Sequence, residues 1–281
     1  MQKLKKNHKM KKFTLILLAV ALIAAPSCNN QNKKKAAEGE AQTEATKEQK
    51  MAAELLSANF KQMIEDSKQM KPAPFIQGKN GSIKLTDKEK MAKPDYLLDA
   101  SASSALVTLT QKYRAVGMYS IDKEVARLYD MPVDKFDEAL TSLAAGINDP
   151  AFNEFSEKVK GTKAVGEVFS KLLDDEIAAG RANFFWEGTA AAMVEQLYVM
   201  TRSIDKFMPM FDDQAASDLS YDFICIHEGI KQMMEYYPEM ESLNKIIEPL
   251  YVINAISVDQ LKSQLVELKG EIEVIRTLIA K

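Results

Sequence analysis

The sequence predicts an all-α protein, a multi-helix bundle, and three observations carry that prediction. Apolar residues recur three and four apart through most of the chain beyond residue 100. No run alternates apolar and polar residues as a half-buried strand would. Proline and glycine punctuate the periodic runs, at Pro132, Pro150, Gly161 and Gly180.

Taken in order, residues 51–70 read as a helix that ends near Pro72 and Pro74. Residues 71–94 follow as the longest irregular segment, with Asn80-Gly81 as a turn signal. Whether this segment packs on the domain or acts as a lid stays open, and residues 82–85 are the one place where a brief extended piece fits. From 102 to 129, Leu106, Leu109, Tyr113, Val116, Ile121, Val125 and Leu128 give helical spacing. A helix over 134–147 shows Phe136, Leu140 and Leu143 on one face. Asp149 before Pro150 reads as an N-cap and first-turn proline for a short helix to Val159. A further helix is predicted over 163–179. Over 184–208, Trp186, Ala190, Met193, Leu197, Thr201, Ile204 and Met208 share a stripe. Helices are predicted over 214–236 and 239–255, and the last over 258–280. Positions 258, 261, 265, 268, 272, 275 and 279 form a heptad seam in that last helix. The seam covers about three heptads and contains Gly270, which costs roughly 1 kcal/mol inside a helix, so packing into the domain's own core is preferred to a coiled coil and a monomer is expected. The tetrapeptide at 120–123 recurs at 203–206, so two similar helical halves and coincidence both remain open.

The N-terminus gives an address. Lys3, Lys5, Lys6, Lys9, Lys11 and Lys12 precede an apolar stretch, Phe13 to Ala25, broken only by Thr14. A spanning helix needs about 20 apolar residues, so the stretch reads as a signal-peptide core. Ala25-Pro26-Ser27-Cys28-Asn29 then resembles the looser lipobox of Bacteroidetes lipoproteins, with Cys28 as the lipid attachment site. The competing reading is plain secretion, with cleavage between 24 and 27. Residues 1–27 are therefore expected to be a signal peptide and 28–50, polar and of low complexity, a flexible tether. Residues 51–281 are expected to form a single all-helical domain. The acidic cluster that often directs such lipoproteins to the cell surface is missing after Cys28. The expected place is the cell envelope, as an outer-membrane lipoprotein facing the periplasm.

Composition excludes some functions. The chain carries −3 formally. Residues 1–27 hold six lysines and no acid, which leaves 31 basic residues against 40 acidic ones, or −9. Such a chain lacks the basic footprint of a nucleic-acid binder. With Cys28 acylated only Cys225 remains, so no intramolecular disulfide can form and the core must hold the domain.

Several motifs resemble a group of all-helical Bacteroidetes lipoproteins. They are Pro94-Asp95-Tyr96-Leu97-Leu98-Asp99, Leu109-Thr110-Gln111-Lys112, Val116-Gly117-Met118-Tyr119-Ser120-Ile121-Asp122, Arg127-Leu128-Tyr129 and Val194-Glu195-Gln196-Leu197-Tyr198. The likeness runs over about residues 94–280. Met193 and Gln196 stand where the group has tryptophan and glycine. The resemblance implies the fold and the address, and no catalytic residue.

No catalytic constellation is recognisable. His227 is the single histidine after residue 27, and neither a zincin helix nor a Glu-x-x-His iron motif surrounds it, so no metal and no cofactor is expected. Cys225 and His227 lie two apart, a spacing that points helical side chains away from each other, and Cys225 reads as a core residue. Gly-x-Ser-x-Gly and phosphate-binding glycine loops are missing. Asp174, Asp175 and Glu176 read as a solvated face.

The most suggestive polar set is Trp186, Glu187, Glu195, Tyr198 and Arg202, which Tyr113 and Arg114 on the other long helix could complete. Glu195 and Arg202 are two turns apart on one face with Tyr198 between them. Such a face serves either as a ligand site, in a groove between the 102–129 and 184–208 helices, or as a salt-bridge seam, and the seam is the more frequent of the two. The favoured function is a lipid-anchored, non-catalytic binding or interaction module. Its partners would be the membrane through Cys28 and a protein or small-molecule ligand. The alternative is an envelope hydrolase using an unrecognised carboxylate pair. Sugar capture is disfavoured by a single tryptophan.

Overall fold

A computed structural model describes residues 47, 51, 85–149 and 165–281. The signal, the tether (Lys47 apart), Cys28, the helix predicted over 51–70 (Met51 apart), most of the irregular segment and the 149–159 helix (Asp149 apart) lie outside the described residues. Within them the protein is 79% helical without strands, and the helices pack together as a bundle.

Helix α1 (Asp87–Met91) opens with a capping box between Thr86 and Glu89. An extended strap follows, then a 3-10 turn over Ala100–Ala105. The first long helix, α2 (Leu109–Leu128), starts later than the apolar spacing predicts. Thr108 caps it: the hydroxyl accepts from the Gln111 amide, and the Gln111 side chain reaches back to the amide of Thr108. Helix α3 (Asp134–Ile147) ends where Asn148 turns left-handed at φ 51°. Helix α4 (Val165–Ala178) ends at Gly180, φ 73°, a conformation glycine adopts without strain.

Helix α5 (Ala182–Arg202) is the axis of the bundle. Sixteen of its residues are buried, around its whole circumference. It touches α2, α4, α7 (Asp213–Met233), α9 (Val258–Glu267) and α10 (Lys269–Ile279). A helix enclosed on all sides can carry charge only where a neighbour supplies the opposite charge. That constraint shapes the sites below.

Where the sequence predicts one helix over 184–208, the backbone breaks at Ser203 before a short α6 (Ile204–Phe207). The 239–255 prediction resolves into α8 (Glu241–Ile247) between two 3-10 turns, each carrying a proline in its first turn. The final helix is divided at Leu268 into α9 and α10. Its heptad seam faces inward: Leu261, Leu265, Leu268, Ile272, Ile275 and Ile279 are all buried in the domain's own core. The repeated tetrapeptide has different conformations in its two copies. Residues 120–123 lie inside α2, whereas 203–206 span the break after α5.

Glycines set two of the helix contacts. At the α2–α5 crossing, a Cβ on Gly117 would collide with the carbonyl oxygen of Gly188, and one on Gly188 would lie 3.1 Å from the Tyr113 carbonyl oxygen. At the α5–α7 contact, the Trp186 ring occupies the space a side chain on Gly229 would need. Gly270 differs, because a Cβ there meets nothing within 4 Å. The expected result for Gly270→Ala is therefore a gain of about 0.5–1 kcal/mol, from helix propensity alone. A melting temperature raised by roughly 2 °C would register it.

Candidate functional site

The residues nominated from the sequence are distributed over separate places rather than around one cleft. The groove expected between the 102–129 and 184–208 helices is closed, because Gly117 and Gly188 bring the two backbones into contact along that seam. One pocket among the described residues, of about 110 Å³, lies elsewhere, where Leu98 and Ala102 meet Met118 and Ile279. It is well below the roughly 300–1,000 Å³ usual for small-molecule sites.

Glu195 is fully buried, and its partner is Arg276 on α10 rather than Arg202. The Arg276 guanidinium donates from Nε (2.8 Å) and Nη2 (2.8 Å) to the two carboxylate oxygens. Nη2 also donates to the Tyr96 carbonyl at 2.9 Å. Asp122, equally buried, accepts from the Leu98 amide at 2.7 Å through Oδ2. Burial first, and the neighbouring Glu195 charge second, push the Asp122 carboxyl far above the usual carboxylate range. Its other oxygen has no hydrogen-bond partner among the described residues. One node thus fastens the strap, α2, α5 and α10 together.

A second buried acid pair joins Asp149 to Glu176. The Tyr113 hydroxyl donates to Glu176 at 3.1 Å, Arg181 Nε donates to it at 3.1 Å, and Arg181 Nη2 donates to Asp149. Burial, then the hydrogen bond and charge of Asp149, push Glu176 up to about 8. The expected solvated face at 174–176 is thus corrected at Glu176, which shares the core-facing side of α4 with Leu172 and Leu173. Arg114 pairs with Glu187 at 2.6 Å, both nearly buried. Trp186 is a core residue, set edge-on to Phe185.

A third acid pair has no such counter-charge among the described residues. On α7, Asp222 is 5% exposed, and burial, then Asp218, push its carboxyl up to about 7. Cys225, on the same helix, is buried and its thiol is pushed up to about 12 by desolvation. His227 stacks on Tyr251, and burial lowers its pKa. Among the described residues no group of three or more His, Cys, Asp or Glu side chains could hold a metal ion. Nor is any helix there long and apolar enough to cross a membrane.

These acids fix the sign of the pH dependence. Unfolded carboxyls titrate near 4. Above about pH 5 the native Asp122, Glu176 and Asp222 therefore hold protons that the unfolded chain lacks, Asp222 up to about 7 and Glu176 up to about 8, and stability falls as pH rises. His227 opposes this only below about 6.5. Lowering the pH from 8 to 6.5 is expected to stabilise the domain by roughly 2–4 kcal/mol, read as a rising urea midpoint. Asp222→Asn should remove part of that slope and raise stability at pH 8.

Tyr198 and Arg202 form an outward corner with Tyr96. The Arg276 guanidinium carbon lies 4.0 Å from the Tyr198 ring centroid. That of Arg202 lies 5.6 Å from Tyr96 and 6.0 Å from Tyr198. The two tyrosine rings meet edge to face at 6.1 Å. Sequence reasoning missed Asp122, Asp149, Arg181 and Arg276. For two of them a signal was present: Asp122 falls in register with Met118 and Val125, and Arg276 with Ile272 and Ile279, so each is a charge on an apolar stripe.

No family model, curated protein or solved structure matches this chain.

Proposed function

We propose that the chain is a lipid-anchored, non-catalytic interaction module of the cell envelope. In this reading it belongs with the all-helical Bacteroidetes lipoproteins its motifs resemble, is held by acyl groups on Cys28, faces the periplasm, and engages a protein partner through its surface. The observation that carries the choice of a surface over a pocket is the closed seam at Gly117 and Gly188. The fates of Glu195 and Glu176 support it, since each is 0% exposed and bound to an internal arginine. The hydrolase alternative needs two carboxyls that reach a substrate. Upward-shifted acids are present, but Asp122 and Glu176 are enclosed by helices.

Two measurements test the reading. Intact mass of the protein from its native envelope should show a chain beginning at an acylated Cys28, and Cys28→Ala should release it from membranes; an unlipidated wild type overturns the anchoring. A photo-crosslinking residue placed at exposed Lys93 should trap one discrete partner in intact envelopes, and a chain that crosslinks to nothing overturns the interaction.

A further inference from the structure

The chain has five arginines, and four of them donate hydrogen bonds to carboxylates: Arg114 to Glu187, Arg127 to Glu124, Arg181 to Glu176 and Asp149, Arg276 to Glu195. Arg202 donates none among the described residues. Its one ion pair is a 3.8 Å approach to Asp95, whose side chain is 89% exposed. A pair this long and exposed is worth little and is readily exchanged.

Yet Arg202 is not a free side chain. Only 33% of it is exposed, and its guanidinium lies over two tyrosine rings. Those rings are fixed. Tyr198 belongs to the buried axis helix, and Tyr96 is held because its carbonyl accepts from Arg276 and the Leu98 amide is bound by Asp122. The fork is thus ordered in advance while no described residue fills its donors with a hydrogen bond, which lowers the entropy cost of binding. Tyrosine and arginine are also the residue types over-represented where binding energy concentrates.

We infer that Arg202, set against Tyr96 and Tyr198, is the anchor point for a carboxylate of an acidic peptide segment on the partner. The planar fork matches a carboxylate bidentately. Asp95 already approaches from the side the incoming carboxylate would take, and would be displaced by it. This inference rests on the interaction reading above.

The test is a titration followed on the arginine Nε–H signals of the intact chain, of which there are five. Acetylated hexaglutamate amide should shift the Arg202 signal saturably at low ionic strength. Hexalysine and inorganic phosphate should leave it in place. Arg202→Lys, which keeps the charge and loses the fork, should weaken the peptide about tenfold. Arg202→Gln should abolish the effect with little change in melting temperature, because no hydrogen bond is lost. An Arg202 signal that stays still, or one that phosphate moves as strongly as the peptide, overturns the inference. Crosslinking from position 93 separates the two failures. Equal trapping by wild type and Arg202→Gln leaves an interaction module and removes Arg202 as its anchor, whereas no trapping in either removes the interaction itself.

Discussion

Arg276→Met is expected to lower the unfolding free energy by about 3–5 kcal/mol, the usual cost of stripping one partner from a fully buried ion pair. Methionine fills much of the same volume, so the loss is electrostatic. Glu195 would keep a carboxylate with 0% exposure and no cation beside it, and Asp122, next to it, is equally enclosed. The strap would also lose the donor to its Tyr96 carbonyl. Differential scanning calorimetry should show a drop on the order of 10 °C. The double variant Arg276→Met/Glu195→Gln distinguishes the cause: if a stranded charge is the problem, neutralising it recovers much of the loss. An Arg276→Met protein that melts within a degree or two of wild type would mean that the node contributes nothing.

Gly117→Val should be as severe for a steric reason. A β-branched side chain there must displace the Gly188 carbonyl and the Ala192 backbone, neither of which can rotate away. Forcing α2 from α5 would open the most extensive helix contact among the described residues. The expected outcome is insoluble or molten protein, while Gly117→Ala, with a single methyl, should fold with a loss of roughly 2–4 kcal/mol. Near-UV circular dichroism and urea unfolding report both. Native-like packing in the valine variant would show that the two helices have slack that the backbone contacts do not suggest.

Helix class and the inward seam of the last helix were legible because they depend on local periodicity. Leu261, Leu265, Ile272 and Ile279 announce a buried face whatever lies opposite. Interruptions were not legible. Ser203 and Leu268 carry no proline, glycine or capping pattern that would mark a break in advance. The polar nodes were the least legible part. Glu195 looked matched to Arg202 because the two share a helix face, yet its partner sits 81 residues further on. Sequence spacing finds pairs within one helix. A charge on an enclosed helix is answered by whichever neighbour the tertiary fold brings alongside, and Arg276 is visible beforehand only as a cation interrupting an isoleucine stripe.

That separation also orders events in time. A chain is made from its N-terminus, so Asp122 and Glu195 exist well before the guanidinium that makes their burial tolerable. Until Arg276 emerges, closing α5 between its neighbours would enclose an acid pair with no cation, and water competes well for both groups. The inner helices can collapse loosely during synthesis, but the final dry packing waits for the last helix. Ribosome-bound chains stopped before residue 276 should therefore remain open to proteases, and those extended far enough to free α10 should become resistant in a single step.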